Sequence, residues 1–236
     1  MPNWVANHVY CNNRAVLNEL RDFNRLVPMP LTLLKTEWGE ESRHFRELLA
    51  SGMSYQEIIK PENAPTVLRY QTDAQRMMVK TLKLMPAQEW ARLAGRYYLC
   101  YKLYGQPDWY SWCLDNWGSC SNLSSFYLDH ARCNCFFQTA WTHPHAFIET
   151  LSLHYPETEL TVEFAEEIPG ENAGRYTIRN GVRTGPEAFA DGSCEAYEVG
   201  FALWGGEEDY RWDDNRQTYI PIDDDGEEDP DDTTGA

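Results

Sequence analysis

The chain has 236 residues, 42% apolar and 14% aromatic, enough for a self-sufficient core, which excludes a disordered chain. It holds no run of about 18 apolar residues, which excludes a membrane-spanning helix, and no membrane partner is expected. The formal charge of −17 is segregated: residues 1–156 carry 15 Lys+Arg against 14 Asp+Glu, residues 157–206 carry 3 against 10, and residues 207–236 carry 2 against 13. Such a field repels nucleic-acid phosphates and favours basic partners.

The opening Met1-Pro2-Asn3-Trp4 lacks the basic and apolar stretches of a signal peptide, so a cytoplasmic location is expected. The seven cysteines are odd in number and are read as free thiols in a reducing compartment.

Trp4 to Cys11 reads as a strand from its apolar and β-branched content. Asn12-Asn13 offers a turn and a helix cap. Val16, Leu20, Phe23 and Val27 then fall on one helical stripe that Pro28 and Pro30 end. From about Thr36 to Tyr104 the pattern is helical, with its clearest helix between Pro86 and Gly105. Trp90, Leu93, Ala94, Tyr97, Tyr98, Tyr101 and Tyr104 form the stripe of that helix. A helical insertion is therefore expected at about 31–106.

Cys133 to Trp141 returns to sheet character. A helix follows, capped by Thr142 and burying Phe147, Ile148, Leu151 and Tyr155. Leu160, Val162 and Phe164 alternate on the core face of the next strand. Arg175 to Arg179 alternates likewise and ends at Asn180-Gly181, a hairpin signal. Glu163 is expected to pair with Arg175 or Arg179 across neighbouring strands. Tyr197 to Trp204 reads as one more strand and Tyr219 to Ile222 as an edge piece. Residues 1–206 thus predict an α+β domain, a mostly antiparallel sheet with helices on one face. Residues 207–236 predict an acidic, largely disordered tail.

Three segments carry a resemblance. The first is Met1-Pro2-Asn3-Trp4 with Asn7 and Val27-Pro28-Met29-Pro30. The second is Trp109-Tyr110-Ser111-Trp112-Cys113-Leu114-Asp115-Asn116-Trp117-Gly118. The third is Phe137-Gln138-Thr139-Ala140-Trp141, continuing through Pro144, the Leu-Ser-rich helix and the Glu-rich strand to Ala173-Gly174. Together they resemble the YubB ferredoxin-like family, uncharacterised proteins of conjugative plasmids and bacteriophages. The second is the most specific, with three tryptophans in nine positions. The resemblance implies a ferredoxin-like fold and carriage on a mobile element, and implies no activity.

The Trp109, Tyr110, Trp112, Asp115, Asn116 and Trp117 run has two readings. The indoles lock the insertion onto the sheet, with Asp115 or Asn116 satisfying amides in a tight turn, or they form an aromatic recognition surface. Cys113, Cys120, His130, Cys133 and Cys135 crowd together as zinc ligands do, but their spacing does not fit a zinc ribbon, and Cys133 and Cys135 can both point into the core. His143, His145 and His154 invite a catalytic reading without an accompanying nucleophile elbow, metalloprotease motif or phosphate loop. No cofactor is implied.

Glu207, Glu208, Asp209, Asp213, Asp214, Asp223, Asp224 and Asp225 read as a solvated extension or as mimics of a phosphate backbone; they lack the ligand spacing of a calcium loop. The leading expectation is a non-enzymatic accessory protein that binds a basic host protein, a nucleic-acid-binding defence or replication factor, through its acidic C-terminal third. The alternative is a single-stranded nucleic-acid binder using Phe136, Trp141 or the Trp109–Trp117 aromatics, with the tail as internal competitor.

Overall fold

The computed structural model describes residues 3–72, 78–186 and 188–222. The chain forms two compact units, the first of residues 1–18, 124–143 and 152–236, the second of residues 19–123 and 144–151.

Strand β1, Trp4–Tyr10, leads into α1, Arg14–Glu19, where Asn13 Oδ1 accepts from the Ala15 N–H at 3.0 Å. The stripe from Val16 to Val27 is not one helix. Asp22 lies within it and accepts from the Asn24 N–H at 2.9 Å, capping a separate 3-10 turn over Phe23–Arg25. A short acidic side chain offers the backbone a local partner in place of the helical ladder, so the helix stops. Val16, Leu20 and Phe23 are nonetheless fully buried.

Helices α2, Glu40–Ala50, and α3, Tyr55–Ile58, fall where helix is expected. Thr66–Thr72 and Met78–Leu84 do not: they form β2 and β3, an antiparallel hairpin. Thr66, Val67, Thr72, Val79 and Thr81 are β-branched and disfavour helix, and Pro61, Pro65 and Pro86 fence the segment off. Helix α4, Ala87–Tyr104, starts after Pro86 and ends at Gly105, whose φ of 78° makes the left-handed cap. Its Trp90, Ala94 and Tyr97 pack with Phe45, Ile58, Ala64, Val67 and Met85, while Tyr101 lies outside the buried stripe. Helix α5 spans Trp109–Trp117.

Strands β4, Ser124–Asp129, and β5, Asn134–Ala140, precede α6, His145–His154. Strands β6, Leu160–Glu166, β7, Gly174–Arg179, and β8, Val182–Thr184, come after it. The Asn180-Gly181 turn has φ of 48° and 73°, the two positive values of a tight hairpin.

The strand predicted over Tyr197–Trp204 is instead α7, Cys194–Trp204. The Ser193 side chain caps it by accepting from the Ala196 N–H at 3.2 Å. Ala196 and Val199 share its buried face against Ala165 and Ala173, a helical spacing that the aromatic content of the segment masks.

Residues 207–222 are also ordered, contrary to the expected tail. A 3-10 turn over Glu207–Asp209 leads to β9, Tyr210–Asp213, and β10, Thr218–Pro221, which pair as a separate hairpin and not as an edge of the main sheet. Tyr210 and Tyr219 lie 5.4 and 5.2 Å from the Phe201 ring, so an aromatic cluster holds this hairpin to α7. Asp223, Asp224 and Asp225 lie outside the described residues.

The main sheet runs β4-β5-β1-β6-β7-β8, every neighbour antiparallel. Taken as β1-α1-β4-β5-α6-β6, the chain follows the β-α-β-β-α-β order of a ferredoxin-like fold. The segment between α1 and β4 interrupts it, and β7 and β8 extend it. One sheet face carries Val5, Asn7 and Val9 with Cys135, Phe137, Thr139, Leu160, Val162, Phe164, Tyr176 and Ile178, all buried.

Candidate functional site

The other sheet face is only partly covered. Helix α7 packs there against β1, β6 and β7, and Ala165 is buried beneath it. Beyond α7, one row crosses five strands in register. Tyr127 stands opposite Phe136, Phe136 opposite His8, His8 opposite Glu163, and Glu163 opposite Arg175. Directly opposed residues share a face, so the row is one continuous surface. Tyr127 is 64% exposed, and Phe136, His8 and Glu163 are partly open.

Arg175 Nε donates to Glu163 Oε1 at 2.6 Å, the first of the two cross-strand pairings expected for Glu163, while Arg179 pairs with Glu157 at 3.0 Å. Tyr10, two residues along β1 from His8, lies on the same face. Its hydroxyl is 2.9 Å from His8 Nδ1 and donates to Glu163 Oε2 at 3.4 Å; the two rings lie 4.2 Å apart. Burial and the Glu163 charge push the Tyr10 hydroxyl above its ordinary pKa, so it keeps its proton. The surface offers aromatic faces at one end and a carboxylate with its guanidinium at the other. That chemistry suits recognition of a cationic or planar group.

Behind this row, on the buried face, a polar chain runs through the core. Thr139 Oγ1–H donates to the Thr142 carbonyl at 2.8 Å, so Oγ1 accepts from Asn7 Nδ2 at 2.9 Å. Asn7 Nδ2 also donates to the Val5 carbonyl at 2.9 Å. With both amide protons engaged, Asn7 Oδ1 accepts from His143 Nδ1–H at 2.7 Å. His143 Nε2 is then the acceptor for the Tyr176 O–H at 2.7 Å. Phe164 stacks on the imidazole at 4.3 Å. Both nitrogens of His143 are thus engaged inside the protein, and its side chain positions strands. Asn3, from the same opening motif as Asn7, donates to Glu166, which also accepts from Asn172 Nδ2 at 3.2 Å.

The tryptophan-rich run is a capped helix, not a tight turn. Asp108 accepts from the Ser111 N–H at 2.8 Å at its start, and Gly118, with φ of 78°, ends it. Trp112 and Trp117 are buried with rings 5.5 Å apart, and Trp117 Nε1–H donates to the Val27 carbonyl at 2.9 Å. Those two indoles form core and present no face to a partner. Asp115 accepts from Gln106 Nε2, and Asn116 Nδ2 donates to the Trp112 carbonyl at 2.9 Å. Trp109 and Tyr110 remain partly open, Tyr110 stacking on Trp38 at 4.3 Å. Trp141 is half exposed, and its carbonyl accepts from Asn172 Nδ2 at 3.3 Å.

Cys113 and Cys120 belong to the second unit, His130, Cys133 and Cys135 to the first. Burial pushes the Cys113 thiol up to about 12 and the Cys135 thiol up as well, which disfavours the thiolates that a metal needs. Among the described residues no three His, Cys, Asp or Glu side chains are placed to hold a metal ion.

Glu207, Glu208, Asp209 and Asp214 are exposed, and Asp213 pairs with Arg216 at 3.6 Å. The units differ sharply in charge. The first carries 7 Lys+Arg against 24 Asp+Glu, the second 13 against 13. Were every cation of the first unit paired internally, most of its carboxylates would still be unmatched. Among the described residues of that unit, 15 Asp+Glu still outnumber 7 Lys+Arg, so the open sheet face belongs to a unit of net negative charge.

A family model described as "Ferredoxin-like domain in Api92-like protein" matches residues 125–221, the span from β4 to β10. Among solved structures the chain is similar to the crystal structure of protein api92 from Yersinia pseudotuberculosis. The identity is 11% and the TM-score 0.38, over 80% of this chain and 100% of that one. No curated protein matches. No helix among the described residues is long and apolar enough to cross a membrane.

Proposed function

We propose that this protein is a non-enzymatic binding module that takes a basic surface of a partner protein onto its open sheet face. The observation that carries the reading is the excess of 24 Asp+Glu over 7 Lys+Arg in the unit that bears the Tyr127–Arg175 row. Aromatic side chains and a carboxylate in one row are a recognition chemistry for arginine and lysine. The resemblance to plasmid and phage proteins supports a mobile-element setting inside a bacterial host. There the natural basic partner is a nucleic-acid-binding defence or replication factor, to which the exposed Glu207, Glu208, Asp209 and Asp214 offer carboxylates in place of phosphates.

Capture of host proteins from a bacterial lysate, with duplex DNA as competitor, tests this. The expected partner is released by DNA and by raised salt, because carboxylates replace phosphates on it. Phe136→Ala and Glu163→Gln are expected to weaken capture at least tenfold, and a chain ending at 222 to retain part of it. A partner held equally by both variants and indifferent to salt would defeat the proposal.

The Tyr127–Phe136–His8 row also favours a second reading, single-stranded nucleic-acid binding by stacking. The negative field opposes it. A low-salt mobility shift with the chain ending at 222, abolished by Phe136→Ala, would establish this reading over the first.

A further inference from the structure

At one end of the sheet, two cysteines stand opposite each other on neighbouring strands. The β1–β5 ladder ends at Tyr10 and Asn134, and one position further the Cys11 N–H donates to the Cys133 carbonyl at 3.0 Å. Cys133, with φ of 55°, turns out of the strand here, but hydrogen-bonded antiparallel partners keep their Cα atoms about 5.5 Å apart, within the span of a disulfide. Both cysteines are free, and both line one polar cleft of about 610 Å³ with Asn12, Asn13, Arg132 and Thr158. Solvent and small oxidants therefore reach the pair.

We propose that Cys11 and Cys133 are a reversible oxidation site that closes to a cross-strand disulfide on exposure to a hydroperoxide. Each sulfur now rests on its own turn. Cys11 Sγ lies 3.2 Å from the Asn13 backbone, and Cys133 Sγ lies 3.9 Å from the His130 carbonyl. Closure requires each sulfur to leave its own turn and rotate toward the other strand.

Cys133 is the more open of the two, and burial pushes the Cys11 thiol up, so Cys133 reacts first. Its thiolate attacks a peroxide oxygen: an S–O bond forms, the O–O bond breaks, and the departing hydroxide leaves as water after taking a proton. The Cys133 sulfur is oxidised by two electrons to a sulfenic acid. The Cys11 thiolate then attacks that sulfur: the S–S bond forms, the S–O bond breaks, and a second water leaves. Two thiols and one hydrogen peroxide give one disulfide and two waters. The bond ties the turn before α1 to the turn between β4 and β5 and fixes the cleft between them. Tyr10, beside Cys11, also belongs to the His8–Glu163 network, so the lock borders the open sheet face.

The full chain treated with hydrogen peroxide and mapped by mass spectrometry without reduction tests this. The expected result is a linked peptide pair containing Cys11 and Cys133, loss of two of the seven free thiols, and recovery of both with dithiothreitol. Cys194→Ser is expected to leave the link intact and Cys133→Ser to remove it. Thermal melts of each variant show that the fold persists. Sulfinic acid at Cys133 with Cys11 unchanged, or a link made only through Cys194 of a second molecule, would overturn the proposal.

Discussion

Asn7→Leu is expected to destabilise the protein by about 3–4 kcal/mol, although it exchanges side chains of similar size. The loss comes from stranded partners. His143 Nδ1–H loses its acceptor, and Thr139 Oγ1 and the Val5 carbonyl lose a donor, all in a region without access to water. An abandoned buried polar group costs about 1–3 kcal/mol, more than its hydrogen bond contributed when made. Tyr176→Phe removes the donor to His143 Nε2, and about 1–2 kcal/mol is expected. The combined variant Asn7→Leu, His143→Phe, Tyr176→Phe removes most of the chain at once and should cost clearly less than the three single changes added together. Urea unfolding followed by tryptophan fluorescence gives each value. A loss below about 1 kcal/mol for Asn7→Leu would mean that these hydrogen bonds do not hold the strands.

The same residues show what the sequence could and could not disclose. Alternation along Leu160–Phe164 and Arg175–Arg179, with Asn180-Gly181 after the second, revealed β6, β7 and the turn from β7 to β8, because each rests on nearby residues, and it narrowed the partner of Glu163 to two arginines, of which Arg175 is the one that pairs. Asn7 and His143 are far apart in sequence, and no local pattern says that one accepts from the other. The sequence therefore showed His143 only as a histidine without a catalytic motif around it, and not as the buried hydrogen-bonded residue that it is.

The open-face row was hidden for a similar reason. Phe136 was visible as a stacking candidate, but Tyr127 lies in a strand that Ser124-Ser125 and a register shift disguise, and His8 and Tyr10 become a surface only once the order β4-β5-β1-β6-β7 is known. Charge misled in the other direction. The acids of 207–214 suggested disorder, yet Tyr210 and Tyr219 among them supply ring contacts to Phe201 that order the hairpin.

Gly118→Ala is expected to cost about 3–4 kcal/mol or to prevent folding, a large effect for one methyl group. With φ of 78°, Gly118 holds a conformation that costs an L-residue about 1–2 kcal/mol. An added Cβ would also stand 2.8 Å from the His145 amide nitrogen and 2.9 Å from that of Ala146, and backbone cannot swing aside as a side-chain tip can. Trp117→Ala should cost a similar amount, about 3–5 kcal/mol, by opening a cavity beside Phe23 and Trp112. Trp117→Phe keeps much of the ring and strands only the Val27 carbonyl, for about 1–2 kcal/mol. Tyr110→Ala, at a partly open ring, serves as the contrast and should stay within about 1 kcal/mol. This ordering, read from thermal and urea unfolding, separates the two meanings of the tryptophan run. If Gly118→Ala and Trp117→Ala unfold the protein while Tyr110→Ala does not, the run is architecture, and recognition by α5 is confined to Trp109 and Tyr110. If all three fold alike and differ only in partner capture, the run is itself a binding surface, and the open sheet face loses its claim to be the principal one.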